Sequence, residues 1–208
     1  HTPDILASAY LVAAYVRGYE LSGREGYLRE ARRWALSGLP FIYLRADRPI
    51  MLYATIPVFG ATKWKAPNWI GLPVQWCGGV YAYWLTKLAA HDDTLDWAKL
   101  ARGILVAAEQ MQYPEGRLVG CLPDIFDLAG QRRAGPSINP AAVLSLRRAV
   151  EGRPTGLCVA ADGDRRICSP LPVTIRDGAA RVRGRKGLTY QVLIDGERVV
   201  TVRSRGRD

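Results

Sequence analysis

The helical segments of this chain alternate between two kinds, and few folds accept that alternation. Residues 4–21 (DILASAYLVAAYVRGYEL) are apolar almost all round, the character of a helix buried on every side. Residues 24–37 then place Leu28, Ala31, Trp34 and Ala35 on one stripe and Arg29, Glu30, Arg32 and Arg33 on the other. Residues 74–90 are again apolar nearly all round. Residues 93–112 are again amphipathic, with Leu95, Ala98, Ala101, Leu105 and Ala108 opposing Asp96, Lys99, Arg102 and Gln110. A fifth helix is predicted from Asn139-Pro140, a cap residue followed by proline, to about residue 150. Thr2 is the expected cap of the first helix, with Pro3 in its first turn and Asp4 at its positive end. Buried, exposed, buried, exposed describes helical hairpins packed as an inner and an outer layer. A common four-helix bundle would repeat one half-apolar pattern four times.

The connections alternate too. Short links at residues 21–24 and 90–93 join helices within a hairpin, and long ones, 38–73 and 113–138, join one hairpin to the next. Both long segments are expected at the same end of the helices, and long loops in compact domains are usually functional. Composition shifts near Pro154. Short alternating runs follow at 157–161, 165–168, 173–175, 180–183, 189–194 and 198–202, with turn signals at Asp162-Gly163, Asp177-Gly178 and Asp195-Gly196. The expected class is α+β: helical hairpins over residues 1–152, then a small antiparallel β domain over 153–208 that packs on the helices as a sandwich lid.

With 208 residues, 49% of them apolar and 23% charged, the chain can bury a sizeable core and is neither disordered nor collagen-like. No apolar run reaches the ~18 residues of a membrane span. The chain opens on His1 without an initiator Met or a leader, which reads as part of something longer. The net charge of +10 fits nucleic acid, an anionic lipid surface, an acidic polymer or simple solubility. The densest basic stretch, Arg181-Val-Arg-Gly-Arg-Lys186, alternates as one solvated strand face does. No zinc finger, helix-turn-helix or aromatic sheet motif points to nucleic acid. There is also no phosphate loop, no dinucleotide fingerprint and no G-x-S-x-G elbow.

Cys77, Cys121, Cys158 and Cys168 are the four cysteines. If Asp162-Gly163-Asp164 forms a three-residue loop, Cys158 faces Cys168. The pair is then either a disulfide, which fits an extracellular or periplasmic protein, or two reduced thiols in a sheet.

The stretch Met51-Leu-Tyr-Ala-Thr-Ile-Pro-Val-Phe-Gly60 runs into Trp64-Lys-Ala-Pro-Asn-Trp-Ile-Gly-Leu-Pro-Val-Gln-Trp76. Together with the inner and outer hairpins, it resembles the (α/α)-toroid enzymes of the six-hairpin glycosidase type. The resemblance covers about residues 2–150 at the level of architecture. It implies a carbohydrate-active hydrolase or lyase with a C-terminal β domain. A complete toroid has six hairpins and this chain shows two and a half, so it looks like the C-terminal half of one. The implied partners are a polysaccharide or oligosaccharide and either the missing toroid half or further copies of the chain. The other class of function is a non-catalytic assembly or glycan-binding fragment that completes a toroid with another chain. Cys77 and Cys121 distantly resemble the zinc cysteines of lanthionine-cyclase toroids. Leu122 stands where that family has a histidine, so no metal or other cofactor is expected.

Two loops carry the candidate chemistry. In the first, Tyr53, Trp64, Asn68 and Trp69 lead to Gln75 and Trp76. Either the indoles stack on sugar rings while the amides meet hydroxyls, or the tryptophans pack beneath a long loop. In the second, Glu115, Asp124, Asp127, Gln131 and Arg132 fall together. Glycoside hydrolysis needs two carboxyl groups roughly 5–10 Å apart. Asp124, behind Leu122-Pro123, is the expected general acid, its apolar approach favouring a raised pKa. The competing role for Asp124 is a loop carboxylate bonded to backbone or paired with Arg132. Glu115 is the second catalytic candidate, though Pro-Glu-Gly also suits an exposed turn. In a lyase, Tyr53 or Tyr113 is the base. Arg132 and the basic balance favour an acidic glycan.

Overall fold

A computed structural model describes residues 3–59, 68–153 and 155–206. Among the described residues the fold is mixed α+β, with five α-helices and antiparallel sheets. The helices are α1 (Ile5–Ser22), α2 (Glu25–Gly38), α3 (Gln75–Leu88), α4 (Trp97–Met111) and α5 (Ala141–Val150). Between α4 and α5 lie β1 (Leu122–Asp127) and β2 (Arg132–Ile138). After α5 come β3 (Cys158–Asp162), β4 (Arg165–Ser169), β5 (Val173–Arg176), β6 (Ala179–Val182), β7 (Thr189–Ile194) and β8 (Arg198–Arg203). No described helix is long and apolar enough to cross a membrane.

Local chemistry sets the helix ends. Asp4, rather than Thr2, caps α1: its Oδ1 accepts from the Ala7 N–H at 2.6 Å. Thr2 lies outside the described residues. Gly23 closes α1 at φ +69°, with its N–H on the Tyr19 carbonyl, a left-handed step that glycine takes without steric cost. Asp96 caps α4 through the Lys99 N–H, and Asn139 meets the Ala141 N–H ahead of α5.

α1, α3 and α5 lie side by side in that order, with α2 against α1 and α4 against α3. Close approaches fix the spacing. Gly38 admits the Tyr81 ring, and a Cβ there would lie 2.4 Å from it. The Tyr81 hydroxyl also donates to the Ala35 carbonyl. Gly78 admits the Thr55 side chain, where a Cβ would stand 2.1 Å from Oγ1. The apolar character of α1 does not mean burial all round. Ile5, Ser8, Ala9, Val12 and Val16 are buried, while Ala7, Ala14 and Tyr10, 61% exposed, face solvent.

The two long connections do meet at one end, across the N-terminal ends of α1 and α3. Ile42 bridges Thr55, the Ile5 N–H reaches the Pro57 carbonyl, and the Val74 N–H reaches the Thr55 carbonyl. The second connection joins the same layer, as Phe126 and Leu128 donate to the Pro73 and Gly71 carbonyls. Residues 113–138 are therefore not all loop; they carry the β1–β2 hairpin.

The later strands form a four-stranded antiparallel sheet, ordered β3-β4-β7-β8, and a separate β5-β6 ribbon beside β3. β4 meets the C-terminal end of α1, where Arg166 lies over Gly23, and Thr155 accepts from Tyr83 and Lys87 late in α3. The sheet thus abuts the end of the helices opposite the long loops. In the β3–β4 hairpin Asp162 pairs with Arg165, leaving a two-residue turn. Cys158 then faces Ser169 and Cys168 faces Val159, so the two thiols point to opposite faces. All four cysteines are free.

Candidate functional site

At the loop end, the first turn of α3 meets β1. Pro123 and Ile125 flank a shift in the β1–β2 register that sets Asp124 out of the regular ladder, across from Gly135. Gly135 has φ +76°, and a Cβ there would sit 3.1 Å from the Asp124 Cβ. Half-buried Asp124 turns toward α3 and accepts the Trp76 indole N–H on Oδ1 at 2.9 Å. Behind this pair lies buried Cys77. Burial pushes its thiol up to about 12, with the neighbouring Asp124 and Asp4 carboxyl groups adding to the effect. The ends of α1, α3 and β1 therefore converge on Asp4, Cys77, Trp76 and Asp124.

Trp76 also opens a groove of about 340 Å³ between α3 and α5. Trp76, Val80 and Tyr83 form one wall, Ser145 and Leu146 the other, and Thr155 lies at the end nearer the sheet. A half-buried indole beside aliphatic side chains and hydroxyls can pack one face of a sugar ring and bond its rim. The size falls at the small end of ligand pockets.

The remaining sequence candidates scatter. Gln75 is buried, and its amide is fully engaged: Oε1 accepts from the Thr55 N–H and hydroxyl, while Nε2 donates to the Tyr53 and Ile104 carbonyls. It has no hydrogen left for a sugar hydroxyl; it ties the first long connection to α3 and α4. Gln131 gives both amide hydrogens to the Pro49 and Leu128 carbonyls. Tyr53, at φ +62°, lays its ring against Gly103 of α4. Trp69 packs half-buried on the core, and exposed Asn68 accepts from the Ile70 N–H. Glu115 is exposed on the turn closed by the Tyr113 N–H and Cys121 carbonyl. Arg132 pairs with Asp127 at 3.1 Å, not with Asp124. Trp64 lies outside the described residues.

Arg133 is a residue that sequence reasoning passed over. It reaches back from β2 to the carbonyls of Gln110, Met111 and Gln112, and stacks over Tyr113 and Phe126. A cation at a helix C-terminus satisfies carbonyls that lack partners within the helix. Its signal in the sequence was only the Arg132-Arg133 pair, whose two members go to opposite tasks. Among the described residues, no group of three or more His, Cys, Asp or Glu is placed to hold a metal. No family model, curated protein or solved structure matches the chain.

Proposed function

We propose that this chain is the carbohydrate-binding part of a carbohydrate-active protein, with α1, α3 and α5 as inner helices of a partial (α/α) toroid and the later strands as its β domain. The observation that carries the reading is Trp76: a half-buried indole walls the α3–α5 groove, and Asp124 fixes its orientation. In this reading the indole stacks on a sugar ring, and the Ser145, Tyr83 and Thr155 hydroxyls bond its edge. If the sugar is cleaved, Asp124 is the acid of this chain. Glu115, exposed on the turn that leads into β1, is then the second carboxyl candidate. The test is a glycan array followed by titration of the binding oligosaccharides against wild type and Trp76→Ala. The variant should bind about tenfold or more weakly, and an array silent for the wild type sinks the reading.

One observation favours the assembly reading. The Ala7, Tyr10 and Ala14 stripe lies on a flank of α1 that the described residues leave exposed, and exposed apolar patches mark interfaces. Native mass spectrometry decides it. A 23 kDa monomer at micromolar concentration counts against assembly.

A further inference from the structure

The β7–β8 hairpin separates its charges along its length. Its Asp195-Gly196-Glu197 turn carries both acidic residues, next to the Ile194–Arg198 pair. Among the described residues, the charged groups at the other end, where Thr189 pairs with Arg203, are cations: Arg183, Arg185 and Lys186 before β7, Arg203 and Arg205 after it. Between the Lys186-Gly187 segment and residues 201–205 runs an open groove of about 840 Å³.

The floor of this groove is tied down. The Gly187 N–H donates to the Ser204 carbonyl and the Ser204 N–H to the Leu188 carbonyl, both at 2.8 Å. The buried Ser204 hydroxyl accepts from the Gly206 N–H. Alternation along the chain sends Thr201, Arg203 and Arg205 to the exposed side, with Ser204 buried between the two arginines. Successive members of such a row stand roughly 6–7 Å apart. Among the described residues, none of Lys186, Arg203 and Arg205 has a carboxylate partner.

Cations on an edge strand also discourage pairing with another chain, and β8 is an edge of its sheet. That role accounts for Arg198 and Arg203. It asks nothing of Arg205, which follows the strand, or of Lys186 across the groove. The two flanks are cationic, the floor is fixed, and the Thr201 hydroxyl lies in the same row. Such a surface suits a chain with recurring anions on a hydroxyl-rich backbone, since guanidinium groups take carboxylate or sulfate oxygens through paired hydrogen bonds. Among the described residues no aromatic ring lines the groove, and binding of single-stranded nucleic acid leans on aromatic stacking.

We infer that this groove binds an anionic polysaccharide, at a site separate from the one beside Trp76. The choice of polysaccharide rests on the carbohydrate reading above; the anion chemistry stands on the groove itself. The experiment immobilises the full chain and measures binding of polygalacturonate, dextran sulfate, neutral dextran and a single-stranded oligonucleotide at about 0.1 M ionic strength. Binding of polygalacturonate assigns a carboxylate ligand, and binding of dextran sulfate alone a sulfate one; neutral dextran should pass. Lys186→Ala/Arg203→Ala/Arg205→Ala should weaken the acidic polymer about tenfold or more. Arg29→Ala/Lys99→Ala/Arg102→Ala, which removes the same charge from exposed helix positions, should leave it nearly unchanged. Equal loss in both triple variants, no loss in the groove variant, or tighter binding of the oligonucleotide than of either acidic polymer overturns the inference. Titrating array-positive neutral oligosaccharides on the same samples keeps the two readings apart. Silence there with polygalacturonate still bound removes the Trp76 reading and leaves this groove standing.

Discussion

The indole N–H of Trp76 donates to Oδ1 of Asp124 across 2.9 Å, joining the first turn of α3 to the irregular step in β1. One contact therefore sets both the ring that walls the α3–α5 groove and the carboxyl group beside it. Asp124→Ala leaves the indole without its acceptor. It should cost about 1 kcal/mol of stability and weaken oligosaccharide binding, read by tryptophan fluorescence during titration. Asp124→Asn keeps an acceptor oxygen at the same place, so binding should persist. If the wild type cleaves the bound glycan, Asp124→Asn should bind without cleaving. Cleavage at the wild-type rate would remove Asp124 from the chemistry and leave it as a positioning residue.

Gln75 was expected to face a sugar, and the structure puts it to different use. Its side chain bonds the Thr55 backbone and hydroxyl and the Tyr53 and Ile104 carbonyls, all from inside the core. Gln75→Leu would strand those groups away from water. The expected destabilisation is about 2–4 kcal/mol, seen as a lower urea midpoint at an unchanged slope. A variant as stable as wild type but weaker for oligosaccharide would return Gln75 to the binding surface.

Two hairpins of helices, a fifth helix and six later strands can be read from the sequence because each rests on a local signal. The Asp-Gly turns and the alternating runs locate every strand end after residue 156 to within one residue. Features that depend on distant partners were not legible. The β1–β2 hairpin has Pro123, Gly135 and Pro136 within its strands and no clean alternation. It holds because Phe126 and Leu128 also bond Pro73 and Gly71, far away in sequence. The amide of Gln75 gives no local hint that Ile104 will accept from it. One residue of turn length decides whether Cys158 faces Cys168 or Ser169. The apolar circumference of α1 shows which residues can be buried, not which neighbours the chain supplies.

The β3–β4 register carries a thiol prediction. Cys158 opposes Ser169, so no Cys158–Cys168 bond forms. The denatured intact mass should be unchanged by reductant, and four thiols should titrate. In the folded protein Cys77 and Cys168 should resist a disulfide reagent near pH 8, both being buried and both having thiols pushed up, first of all by that burial. Half-buried Cys158 should be labelled before either. A mass two hydrogens lighter before reduction would contradict the register.

Asp92 should account for part of the acid sensitivity of this fold. It is buried in the turn between α3 and α4, where Arg32 of α2, the Thr94 hydroxyl and N–H, and the Trp97 indole all donate to it. Burial pushes its carboxyl upward, but these hydrogen bonds together outweigh that and hold it at about 2, below the usual 3.8. The folded state therefore takes up the proton at lower pH than the unfolded chain does. The resulting stabilisation is whole above the unfolded value near 3.8 and is lost as pH falls through about 2. Its size is about 1–2 kcal/mol, discounted because the Arg32 end of the ion pair is 38% exposed. Asp92→Asn should be less stable than wild type at pH 7, and the gap should narrow between about pH 4 and pH 2. Urea unfolding of both proteins across that range is the measurement. A gap that stays constant down to pH 2 would mean that the Asp92 proton is not linked to folding.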